Sequence, residues 1–217
     1  MQEQGQGAVN GAEEKLQKSI VQLAAYRKII EKYADQINSF EVKSVPELKN
    51  LINPSEAAVK KVKENLLVEF QKKSGREYAE SDLPRVGLAA FHFISSLRVI
   101  GAELPVSYWF SPSQVLEIGA ADAFDRAIFL CSLLNALGCA NSKIHVLEVE
   151  GGLRHPVVIA KIAENHYLFD AMPPSQFIKA TNQQGLLAAY EINGKKYTRS
   201  LFEFSAAGYE EFEYSVV

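Results

Sequence analysis

The chain has 217 residues, 47% hydrophobic and 23% charged, with a formal net charge of −3. That length suits one good-sized domain, or one domain with an appendage; the slight acidic excess gives no reason to expect a nucleic-acid partner. Two cysteines, Cys131 and Cys139, are too few for a disulfide framework. No run approaches the roughly 18 apolar residues of a membrane span. The opening MQEQGQGAVNGAEEK lacks the basic and then apolar regions of a signal peptide, so no membrane partner is expected and the expected location is cytoplasmic.

Residues 1–11 are rich in Gln and Gly, a composition that predicts disorder. A helical region is predicted over 12–82. Leu16, Ile20, Leu23, Ile30 and Ile37 recur at helical spacing opposite Lys18, Arg27, Lys28 and Lys32. An amphipathic helix packed on the domain is the simpler reading; a dimer helix or docking arm needs a longer stripe. Pro46 and Asn53-Pro54-Ser55-Glu56 mark breaks. Asn53 is placed to cap, and Pro54 to take the first helical position, of a helix that buries Ala58, Val62, Leu66 and Phe70. Its lysines, from Lys60 to Lys73, read as a solvated face.

A third helix opens at Pro84 and turns Leu88, Phe91, Ile94 and Leu97 inward, with His92 beside them as a structural histidine. Glu103 to Trp109 is a crossing loop. A helix from Asp122 to Leu137 follows, and it has almost no polar face, so it belongs in a core. Asp122 is its N-cap, Asp125 sits at N3, and Gly138 is placed where φ > 0 is often needed. Cys131, in mid-helix, reads as a small core residue.

Past Gly138 the period becomes strand-like. Ile144 to Val149, His155 to Ile162 and His166 to Asp170 are predicted strands, and Pro173-Pro174 stops the last of them. Asn193-Gly194 predicts a hairpin with a type I′ turn. The tail, with Tyr209, Phe212 and Tyr214 among glutamates, is an edge strand or a cover over the core. The predicted class is α+β, with N-terminal helices followed by a central buried helix packed on an antiparallel sheet.

The ordered set Trp109-x-Ser111-Pro112-x-x-x-Leu116, then Asp122-x-x-Asp125-x-Ala127, then Leu130, Leu134, Leu137 and Gly138, then His155 and Asp170 at strand ends, resembles the transglutaminase-like domain. That family is a relative of the papain-like cysteine peptidases. The likeness runs from about Leu88 to Met172 and places the domain at 83–217. It implies a triad. A cysteine at the helix N-terminus has its pKa lowered there, a strand histidine exchanges its protons, and an Asp orients that histidine. His155 and Asp170 fall at the last two positions, on adjacent strands, with His155 facing the helix end. The nucleophile's position holds Ala123.

A methyl group attacks no carbonyl, and losing the nucleophile removes most of a triad's catalysis because its members act as a unit. Cys131 is about 12 Å further along the axis, and no spacing rule supports Ser111 or Ser113. Trp109, Asp122 and Asp125 complete the candidate binding set. Their simpler readings are a packing anchor, a cap and a helix-end charge, and Arg126 is placed to pair with a tail glutamate. Pro156 and Val157 after the histidine, and Phe124 and Arg126 beside Ala123, also depart from the family's usual pattern. No metal and no cofactor are implied. The leading expectation is a non-catalytic module that holds a peptide or protein partner in the old substrate groove. The alternative is a cysteine-dependent hydrolase or acyltransferase in which Ala123 replaces a natural Cys. A third is an interaction protein that works through its N-terminal helices.

Overall fold

A computed structural model describes residues 3–101 and 106–212. Residues 1–2, 102–105 and 213–217 lie outside the description, and with them Glu103 of the predicted crossing loop and Tyr214 of the tail. In chain order the helices and strands are α1 (Glu3–Lys32), α2 (Ala34–Glu41), α3 (Val45–Leu51), α4 (Ala57–Ser74), α5 (Leu83–Ser95), β1 (Arg98–Val99), α6 (Pro112–Ile118), β2 (Ala120–Ala121) and α7 (Ala123–Ala136). They continue as β3 (Lys143–Val149), β4 (Leu153–Ile162), β5 (Asn165–Asp170), β6 (Gln176–Ala180), α8 (Gln183–Ala189), β7 (Glu191–Ile192), β8 (Lys195–Phe204) and β9 (Tyr209–Glu211).

Two compact units divide the chain: residues 1–42 with 101–108, and residues 43–100 with 109–217. In the first, α1 begins at Glu3 rather than near Ala12 and is followed by α2. The Ser107 amide donates to Asn38 Oδ1 at 2.7 Å. Leu16, Ile20 and Leu23 of α1 are exposed. No helix among the described residues is long and apolar enough to cross a membrane.

The second unit is α+β. Seven antiparallel strands run in the order β6-β5-β4-β3-β8-β7, with β9 on β8. Strand side chains alternate between faces, and the two faces build two cores. Ile144, Val158, Ala160, Ile162 and Phe169 pack with α7, α5 and α4. Leu147, Val149, Val157, Ile159 and Leu168 pack with Leu186, Tyr190 and Ile192.

Helix α7 is the centre of the first core, buried from Asp125 through Leu134. Its start is set by Asp122, whose side chain accepts the Asp125 amide at 2.9 Å. Its end is set by Gly138 at φ 106°, a conformation that costs a Cβ-bearing residue energy. Gly87 lets α5 lie close, because a Cβ there would meet Leu134 at 3.2 Å. The hairpin turn is as predicted, with Asn193 and Gly194 both at positive φ, and the tail forms edge strand β9 as far as Glu211.

Several elements differ from the sequence reading. The Asn53 side chain accepts the Ser55 amide, and α4 starts at Ala57 behind Glu56. Beyond the shortened α5, Arg98–Val99 pairs in parallel with Ala120–Ala121. Helix α6, strand β6 and helix α8 were not predicted. His92, read as a structural histidine, is exposed and lies against the Phe91 ring.

Arg126 does not pair with the acidic tail. It is fully buried, at 0% exposure, in the first turns of α7. It donates to five backbone carbonyls: Ile94, Ser95 and Leu97 at the end of α5, Ala121 of β2, and Ala171 after β5. The guanidinium sits at the negative end of α5's dipole and caps its last carbonyls. Replacing it with Met keeps most of the stem and strands those acceptors. The Arg126→Met variant should lose on the order of 3–5 kcal/mol of stability in urea denaturation. A loss under about 1 kcal/mol would show that the carbonyls find other partners.

Candidate functional site

Ala123 is the first residue of α7, half-buried, and stands directly after the Asp122 cap. Backbone N–H groups at such a helix end face outward with a partial positive charge. The loop before α6 covers this end. Trp109 meets the Phe124 ring edge-on at 5.3 Å, and the Phe110 amide donates to Asp125 Oδ1 at 2.9 Å. Trp109 therefore packs beside position 123.

Asp125 is more than a helix-end charge. It is 1% exposed, and its Oδ2 has no hydrogen-bond partner among the described residues. Burial, and then the neighbouring Asp122, push its pKa up to about 7. Burial raises that of Asp122 as well. Two carboxyls crowded into one buried corner favour keeping a proton between them.

The predicted histidine and aspartate meet. His155 Nε2 lies 2.9 Å from Asp170 Oδ1, and the two side chains are 8% and 1% exposed. Asp170 Oδ1 also takes the Met172 amide at 3.0 Å, and its Oδ2 takes the Tyr190 hydroxyl at 2.8 Å. Tyr190, the residue that ends α8, is 1% exposed. The sequence reading saw it only as the start of a hairpin. Its distance of twenty residues from Asp170 gave no local signal.

The expected orientation needs correction. By strand alternation, His155 shares its face with Val157 and Ile159, and Asp170 shares that face with Leu168; Val157, Ile159 and Leu168 cluster with Tyr190. The body of α7 lies on the opposite face. The pair thus does not look across a layer at Ala123. It sits at the end of the sheet where β4 begins and β5 finishes. At that end Arg126 joins α7 to Ala171 at 3.1 Å.

The possible substitute nucleophiles are engaged elsewhere. Ser111 caps α6, accepting the Gln114 amide, and Ser113 donates its hydroxyl to Glu56 at 2.7 Å. Cys131 and Cys139 are buried, which pushes their thiols up to about 12 and about 11. A thiol so raised supplies little thiolate at neutral pH. A second buried histidine was missed. His145 Nε2 lies 3.1 Å from Glu203, which also pairs with Lys143. Burial pulls the pKa of His145 down to about 4. Among the described residues, no group of three or more His, Cys, Asp or Glu could hold a metal ion.

No protein-family model matches the chain, and comparison with curated proteins finds no match. Solved structures of Legionella pneumophila LapG are similar to it. One is 18% identical, covers 79% of this chain and 89% of its own, and has a TM-score of 0.47. The calcium-bound form is 17% identical, covers 80% and 93%, and scores 0.48. The EGTA-treated form is 16% identical, covers 82% and 90%, and scores 0.49.

The acid pair carries a pH signature. Folding raises the Asp125 pKa, so the folded chain binds a proton more tightly than the unfolded one, and stability falls as pH rises from about 4 toward 7. The Asp125→Asn variant keeps an oxygen for the Phe110 amide and removes the titration. Over that window it should remove a fall on the order of 2–4 kcal/mol from a urea-measured stability profile. A variant profile that falls as steeply as the natural one would show that Asp125 titrates normally.

Proposed function

We propose that this chain is a transglutaminase-like domain that has lost its nucleophile and serves as a non-catalytic module, holding a peptide or protein partner at the former substrate groove. One observation carries the reading. The helix end where such chemistry needs a thiol presents a methyl group, Ala123, while the His155–Asp170 pair at the same end of the sheet stays hydrogen-bonded at 2.9 Å.

Trp109, Phe124 and Asp122 stand at that helix end and are the groups through which a partner would be held, with Asp125 buried behind them. The aromatic pair supplies apolar contact area. The acid pair favours partner groups that donate hydrogen bonds. The reading also accounts for a histidine–aspartate pair kept in a chain with no reactive atom beside it.

A direct assay tests this. The chain as written should neither hydrolyse nor transfer the acyl group of glutamine side chains or peptide amides, and iodoacetamide should label nothing at position 123. Turnover that disappears in His155→Ala would reveal a substitute nucleophile and overturn the proposal. A cysteine codon at position 123 of the natural gene would instead favour the cysteine hydrolase or acyltransferase reading.

A further inference from the structure

We infer that Tyr190 is a positioning residue of this site, acting through Asp170 to hold His155 as the tautomer with hydrogen on Nε2 and a free lone pair on Nδ1. The inference deepens the binding proposal and rests on it only for the ligand's chemistry.

The argument begins at Asp170. Its two oxygens receive three groups: the Met172 amide and the His155 ring on Oδ1, and the Tyr190 hydroxyl on Oδ2. An amide only donates. The Tyr190 hydroxyl is buried with Asp170 as its hydrogen-bond partner. That burial, and then the facing carboxylate, raise its pKa, so it stays a donor. A carboxylate so supplied is an acceptor on every side, and the ring nitrogen facing it must carry the hydrogen.

The other ring nitrogen, Nδ1, then has a lone pair and no protein partner among the described residues. A ligand that reaches this end of the sheet would meet that lone pair, which no described protein group takes up. A group that pairs with it must bring the hydrogen, as a peptide N–H does and a carbonyl does not. Tyr190 thereby links the α8 face of the sheet to the ligand-facing atom of His155.

The test needs no ligand, so its outcome is independent of whether the groove binds a peptide. Long-range proton–nitrogen NMR of the full chain at about pH 9, well above the ordinary imidazole pKa, reads the tautomer, with His155→Gln assigning the signals. The natural chain should show Nε2 protonated and Nδ1 bare. Tyr190→Phe, which removes only the hydroxyl, should shift both nitrogen signals toward the other tautomer. Ile192→Val, a methylene deletion in the same core, should leave them in place.

Three results would overturn the inference: an Nδ1-protonated ring in the natural chain, an unshifted spectrum in Tyr190→Phe, or an equal shift in Ile192→Val. The natural chain offers a further check should Tyr190→Phe not fold. A hydroxyl held against a carboxylate exchanges slowly, so its proton signal should be observable, and its absence would count against the assignment.

Discussion

The second unit depends on a buried cation that is bonded to no carboxylate among the described residues. Arg126 lies in the first turns of α7 at 0% exposure, and its guanidinium is satisfied by carbonyls alone. Burying a charge is expensive unless every hydrogen finds an acceptor. The five carbonyls come from three places that the sequence keeps far apart: the end of α5, strand β2, and the turn after β5. Folding α7 into the core therefore fixes where those three segments go. Helix, loop and sheet end converge on one side chain.

That convergence builds the site. The Ala171 carbonyl bound by Arg126 follows directly after Asp170. The same helix turn carries Asp122, Ala123 and Asp125. One guanidinium thus sets the helix end against the end of the sheet that holds His155. Around this corner the charges are balanced closely. Asp122 and Asp125 crowd each other in a buried setting, and both are pushed toward their protonated forms. Asp170 avoids such crowding by collecting donors on both of its oxygens. Two carboxyl environments result, one crowded by a second carboxyl and one rich in donors.

Much of this was legible in the sequence, for local reasons. A short-range cap, an apolar run without a polar face and a glycine at its end define α7 from Asp122 to Gly138. Alternation and an Asn-Gly turn define β3, β4, β5 and the β7–β8 hairpin. What escaped has no local signature. Helix α8 buries only Leu186 and carries Gly185 within it, so no stripe marks it. Arg126 looks like a surface charge until the fold brings five carbonyls to it. Tyr190 and Asp170 become partners only because α8 folds back over the sheet. The histidines show the same limit. His92 sits beside an apolar stripe yet is exposed, whereas His145, unremarked in its strand, is buried against Glu203. The motif orders residues along the chain and says nothing of which side of a strand they take, so the face of His155 follows only from the strand register.

On the reading proposed above, the helix end at position 123 lacks one atom, the sulfur of a thiol. Putting that atom back tests it most directly. In Ala123→Cys a thiol would stand at the N-terminus of α7, where the helix dipole favours thiolate, with His155 and Asp170 at the end of the sheet. Its rate of alkylation by iodoacetamide at near-neutral pH should far exceed that of Cys131 or Cys139, and the excess should fall when His155→Ala is added. A thiol at position 123 that alkylates no faster than an ordinary exposed cysteine, with a pKa near about 8.5, would contradict the account. His155 and Asp170 would then be structural residues alone.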